Sequence, residues 1–266
     1  MPRALRVVET RLLPHGWKDL IRQLSLFVGA FLLYDLVRGL VGHGNLYKPF
    51  GDATRIIDVE RAIHIFVEPS INAWVQGQHW LMDIASWVYL NGHFLVTLGA
   101  LVFIYLRRNK SFYFVRNVLL LSMGIALVGY WLYPTAPPRL MPEWGFTDTV
   151  SQLVTGGTGW SDNTPAGAFV NAYAAVPSMH VCFALIIGVS MSRLVRRKWA
   201  RIAWRLYPLL VTFVVVGTAN HFFIDVLLGA LTAAAATVIA KRLLARARPE
   251  VWAFGQPPDR DVTVPA

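Results

Sequence analysis

The strongest constraint on this chain is a series of apolar runs, each near bilayer-crossing length, punctuated by clusters of Arg and Lys. The runs fall at about Leu24–Val41, Leu81–Leu106, Phe112–Tyr133, Pro177–Leu194, Ile202–Ala219 and His221–Leu244. A spanning helix needs about 20 apolar residues, and it satisfies its own backbone amides where no water can. A soluble domain carries about one charged residue in four, whereas this chain is 15% charged and 55% hydrophobic. The expected fold is all-α: an integral membrane bundle of six transmembrane helices. No polar linker divides the runs. Residues 1–248 therefore read as one domain with its core motifs within 81–244, and 249–266 as a polar, disordered tail. The basic lead-in is long and has no small-residue cleavage site, so the first run is expected to stay as a span.

Charge sets the orientation. With alternating spans, the N-terminal segment, the Arg107–Arg116 and Arg193–Arg205 connections and the segment after Lys241 share one side. They hold twenty of the 25 Lys and Arg residues. The positive-inside rule places that side, and both termini, in the cytoplasm. The same rule accounts for the net charge of +10: the basic loops face an anionic leaflet, and no nucleic-acid partner is expected. A multi-pass protein of a bacterial-type plasma membrane follows. Residues Thr54–Val67 mix Arg55, Asp58, Glu60 and Arg61 with apolar neighbours, which predicts an interfacial helix before the second span. Cys182 is the only cysteine, so there is no intrachain disulfide and no Cys-based metal site.

This topology, chosen by periodicity and charge alone, brings three separated stretches to the outer face. They are Tyr133-Pro-Thr-Ala-Pro-Pro-Arg139, Pro177-Ser-Met-His180 and Gly217-Thr-Ala-Asn-His221-Phe-Phe-Ile-Asp225. Pro177 suits the first turn of a helix, which would put Ser178 and His180 in that turn, beside free N–H groups that attract anions. His221 and Asp225 are four apart, hence on one helix face; the carboxylate would fix the imidazole tautomer and sharpen the other nitrogen. Arg139 follows a rigid proline turn, and a guanidinium matches phosphate oxygens. Each residue alone has an ordinary reading. Ser178 could simply cap a helix, Arg139 could meet headgroups, and His221 with Asp225 could be a packing pair. Together, at one membrane face, they point to phosphate chemistry on a lipid.

These motifs resemble the type 2 phosphatidic acid phosphatase superfamily. Within it, Tyr-Pro-Thr-Ala-Pro-Pro-Arg, Asn-Ala-Tyr-Ala-Ala-Val-Pro-Ser-Met-His and Asn-His-x-x-x-Asp resemble the branch of inositol phosphorylceramide synthases and related inositolphosphotransferases. The resemblance implies a phosphohistidine mechanism without metal or other cofactor. It casts His221 as nucleophile, Asp225 as its orienting partner, His180 as acid then base, and Arg139 with Ser178 as holders of phosphate oxygens. The implied partners are a membrane phospholipid substrate and a lipid alcohol acceptor. Two departures matter. The superfamily's Lys seven residues before the first-motif Arg is Leu132 here, and its Ser-Arg before the nucleophile is Val214-Val215. Fewer cations suit a phosphodiester, with about one negative charge, over a monoester with −1.5 to −2. Headgroup transfer is thus expected over hydrolysis of phosphatidic acid or a polyprenyl phosphate. His93, deep in the second span, is an accessory candidate. Asn171 and Tyr173 belong to a long outer segment, 141–175, that could select the headgroup. A transporter is the more distant alternative, since it too would carry His and Asp within spans. A vanadate-dependent haloperoxidase or a structural scaffold fits less well.

Overall fold

The computed structural model describes residues 13–41, 47–148, 173–252 and 254. They form α1 (Gly16–Val41), α2 (Tyr47–Ala62), α3 (Glu68–Gln76), α4 (His79–Arg107), α5 (Asn109–Leu132), α6 (Met179–Leu194), α7 (Lys198–Gly217), α8 (Phe223–Ala247) and a short α9 (Pro249–Trp252). There is no strand among the described residues, only one parallel bridge, Thr135 to Ala174. Five helices, α1, α4, α5, α7 and α8, are long and apolar enough to cross a membrane. The sequence counted six such runs. The remaining run becomes α6, with 16 residues, about 24 Å at 1.5 Å per residue. It is short because Pro177 does not join its first turn: Ser178 is extended (φ −67°, ψ 106°) and serves as the N-cap.

Short as it is, α6 is the hub, packing against α4, α5, α7 and α8. Small residues along it, Cys182, Ala184, Gly188 and Ser190, let neighbouring backbones come close. Gly188 shows why. Pro208 inside α7 has no N–H to offer the Trp204 carbonyl, and a Cβ on Gly188 would sit 2.7 Å from that oxygen. The hub also carries the second motif, so its N-terminus has to be seated accurately. Two glycines do this. A Cβ on Gly129 of α5 would lie 2.8 Å from Pro177 Cδ, and one on Gly229 of α8 would collide with the Ser178 carbonyl.

Around this hub, α1 is peripheral, with only 11% of its apolar window buried. It is tied to α5 by Tyr34–Tyr130 (3.0 Å). Nearer its start, Asp19 accepts hydrogen bonds from Tyr105 and Tyr113 (3.0 and 3.1 Å), and Arg116 donates to Gln23. Large apolar side chains such as Leu32, Leu95, Leu209 and Leu231 remain exposed around the bundle, as a lipid-facing surface requires. The segment read as an interfacial helix starts earlier than expected, and it buries Glu60 while Asp58 stays exposed. In α2, Asp52 and Glu60 are buried beside Ile56 and Ile57, while Val59 is exposed. At the end of the described residues α9 docks on α5, with Asn117 donating to the Val251 carbonyl and Phe254 against Phe114.

The contact at Gly229 gives a direct check. Gly229→Ala should push the Ser178 end of α6 away and cost about 1–3 kcal/mol. Thermal unfolding of the detergent-solubilised protein reads this, and an unchanged melting temperature would contradict so close an approach.

Candidate functional site

The site is organised by the start of α8. An α-helix leaves its first N–H groups without intrahelical partners, and here three buried carboxylates take them. Asp225 Oδ2 accepts the Phe222 N–H (2.9 Å), Glu68 Oε1 the Phe223 N–H (3.0 Å) and Glu60 Oε1 the Ile224 N–H (2.8 Å). Asp225 is the third helical residue, so its side chain curls back to the N-cap, Phe222. There it also meets His221 Nδ1 at 3.3 Å. This corrects the expectation that the pair shares a helix face. His221 lies before the helix and is brought to Asp225 by the capping turn, not by a 3.6-residue repeat. With Nδ1 engaged, Nε2 is the ring nitrogen left for chemistry.

The loop before α8 is fixed on all sides. Asn72 of α3 donates to the Gly217 carbonyl (2.9 Å) and accepts from the Thr147 N–H. Ala219 sits in the left-handed region (φ 52°), and its carbonyl accepts the Arg139 N–H at 2.7 Å. Ser178 N–H bonds the Asp225 carbonyl (3.1 Å), and Thr135 N–H bonds the Tyr173 carbonyl (2.8 Å). The three motifs, distant in sequence, are thus joined main chain to main chain.

They enclose a cavity of about 200 Å³. Arg139, His180, Asn220 and His221 line one part of it; Phe31, Phe94, Met123 and Phe183 supply apolar wall. Arg139 approaches Asn220 Oδ1 (3.4 Å) through Nη1, and its buried Nε has no acceptor among the described residues. His180 stacks on Tyr89 (centroids 4.5 Å apart) and lies 6.0 Å from the His221 ring. His93 also lines the cavity, 5.1 Å from His180, with Nδ1 3.0 Å from Tyr207 OH. A π-helical turn at Val88–Gly92 precedes it; such a turn shifts the register in which the following side chains emerge.

The other candidates stand differently. Ser178 is fully buried, its Oγ facing the Val181 N–H (3.5 Å) as an N-cap, and it does not line the cavity. Tyr173 packs edge-on against Phe50, next to the lining residues Ala174 and Ala175. Asn171 lies outside the described residues. Three participants were not singled out from sequence for this site: Glu60, Glu68 and Asn72. The only signal was acidic and amide residues in a segment otherwise headed for the membrane boundary.

A stack of apolar helices over a cavity lined by three imidazoles and an arginine, with Asp225 buried behind one of them, defines a class, a multi-pass membrane protein with a polar pocket. The comparison with family models names it. Residues 54–239 match the PAP2 superfamily model, and the chain belongs to that superfamily. Membership points to a lipid phosphatase or phosphotransferase. A comparison with curated proteins found no match, and neither did one with solved structures.

Because His93 is only 2% exposed, its partner matters. Tyr207→Phe should leave the buried imidazole unsatisfied and cost about 1–3 kcal/mol, visible as a lower melting temperature in detergent.

Proposed function

We propose that this protein transfers the phosphoryl-bearing headgroup of a membrane phosphodiester lipid through a phosphohistidine at His221. The observation that carries the reading is His221, oriented by a fully buried Asp225, in one cavity with His180 and Arg139. In the first step His221 Nε2 forms a bond to phosphorus while the P–O bond to the leaving alcohol breaks, and His180 gives that oxygen its proton. Arg139 and the first turn of α6 stabilise charge on the remaining oxygens, with Ser178 holding that turn in place. In the second step an acceptor hydroxyl gives its proton to His180 and attacks phosphorus, and the N–P bond breaks, restoring His221. A lipid alcohol as acceptor gives transfer; water gives hydrolysis. No step calls for a metal.

Charge favours the diester. Among the described residues lining the cavity, Arg139 is the one permanent cation and Asp35 the one carboxylate. The positions where relatives are expected to carry further cations do not supply them: Leu132 is exposed, and Val214 and Val215 are buried in apolar packing. The inositolphosphotransferase-like branch fits this pattern. So does a six-span topology in which α6 is the short span and α2 lies at the interface, with both termini cytoplasmic and the cavity opening outward. The apolar walls at Phe31, Phe94 and Phe183 suit acyl chains.

The test offers the purified protein phosphatidic acid, phosphatidylinositol and phosphatidylglycerol, with and without ceramide or diacylglycerol, and scores phosphate release against new phospholipid. Phosphatidic acid hydrolysed far faster than any diester turns over would overturn headgroup transfer. Intact turnover in His221→Ala would overturn the phosphohistidine. Asp225→Asn is a sharper probe: Oδ2 serves both the Phe222 N–H and His221 Nδ1, and an amide there brings no charge to orient the ring or stabilise an imidazolium. Turnover should fall by about 10³–10⁴-fold, as when an orienting aspartate elsewhere is made an amide, with the protein still eluting as a folded species.

A further inference from the structure

Glu60 and Glu68 have no part in the chemistry just described, yet both are fully buried at its foundation. Each spends Oε1 on an N–H of α8, at Ile224 and Phe223. Each keeps a second oxygen, Oε2, that is buried and reached by no donor among the described residues. No ion pair serves either carboxylate there. Arg61, the neighbour of Glu60, is turned onto the Trp144 ring 5.7 Å away. The charged groups that face Glu60 are Glu68 from α3 and Asp225 from α8, and Asp225 is in turn bonded to His221. The two carboxylates cap consecutive N–H groups of one helix start, and two buried carboxylates so placed repel unless a proton lies between them, as in any close carboxyl dyad.

We propose that Glu60 and Glu68 share one proton between their Oε2 atoms and act as a carboxyl pair that positions the start of α8, and with it His221. The proton turns two repelling acids into a hydrogen-bonded unit, each half still accepting one N–H of α8. Burial, ahead of the hydrogen bond to Glu68, pushes the Glu60 carboxyl up to about 9, so the pair stays singly charged at neutral pH. Loss of the proton would set three full negative charges around one helix start, and the capping turn holding His221 would loosen.

The assignment uses the phosphohistidine reading for its activity readout, but its stability readout does not depend on that reading. The folded pair binds a proton that an unfolded Glu, titrating near 4.5, has lost. Its stabilising effect is complete below about pH 4.5 and fades as pH climbs to about 9. The melting temperature of the full-length protein in detergent should therefore fall as pH rises from 6 to 10, and Glu60→Gln should flatten that fall. The amide carries its own permanent N–H toward Glu68 while its oxygen still accepts from Ile224. Using the best phospholipid of the panel above, Glu60→Ala should lower kcat by about 10²-fold with KM little changed, the size of effect a misplaced reacting group produces. Glu60→Gln should restore most of that loss at pH 7 and move the alkaline limb of the rate profile upward. Glu60→Gln with Glu68→Gln should resemble Glu60→Ala, since two amide N–H groups then face each other. A wild-type melting curve as flat as that of Glu60→Gln would overturn the shared proton. A double variant matching Glu60→Gln in rate and pH profile would do the same. If no phospholipid is turned over by any form, the phosphohistidine reading falls and the melting curves still decide the pair.

Discussion

Asp225 is completely buried in an apolar bundle, and most of the site follows from making that tolerable. A lone carboxylate in such a place is expensive, and removing one of its partners costs more than the partner's own interaction is worth. The charge is met by the positive end of α8, by the Phe222 N–H and by His221. Placing the acid at the helix start, and not a turn further in, is what allows all three at once. The same helix start must find partners for its next two N–H groups, which is why α2 and α3 lean in with Glu60 and Glu68. Two helices are thereby locked to the loop that carries His221.

From that anchor the other motifs are located by backbone contacts. The Asp225 carbonyl holds the Ser178 N–H, and the Ala219 carbonyl holds the Arg139 N–H. Gly229 and Gly129 let the Pro177–Ser178 segment fit between α8 and α5 with almost no clearance. Main-chain bonds tolerate side-chain variation but not displacement, so the backbone positions of Arg139, His180 and His221 are set by the fold. The α1 side of the cavity is built differently. There Phe31, Tyr34 and Asp35 come from the least buried of the long helices.

Much of this was legible in the chain. Every apolar run became a helix, and the grouping of Arg139, His180 and His221 followed from alternating spans and charge. His93 stood out as an ionisable residue at depth, and the structure sets it beside His180. What escaped was local geometry. A four-residue spacing describes a helix face as well as a capping turn, and only the actual start of α8 at Phe223 decides that His221 and Asp225 form the second. Pro177 is as compatible with the residue before an N-cap as with a first turn, so α6 came out shorter than its apolar run. Glu60 and Glu68 were the larger omission. The periodicity of α2 reads as amphipathic whether its acids face water or a buried helix start, and no motif marks a carboxylate whose partners are backbone amides 155 and 164 residues away.

The charge inventory joins these features to the proposed substrate. Behind His221 stand Asp225, Glu60 and Glu68; in front stand Arg139, Asp35 and whatever charge the imidazoles carry. A negative reservoir this close to the phosphate works against binding an anion, and a dianionic monoester suffers about twice as much as a monoanionic diester. A second permanent cation would offset it, yet the described cavity lining holds none beyond Arg139. On the proposed reading, one proton held between Glu60 and Glu68 would lower the negative charge behind His221 without adding a cation in front. On this reading the carboxyl pair and the missing cations belong to one solution: enough negative charge to orient His221 and cap α8, and no more than a singly charged phosphodiester can tolerate.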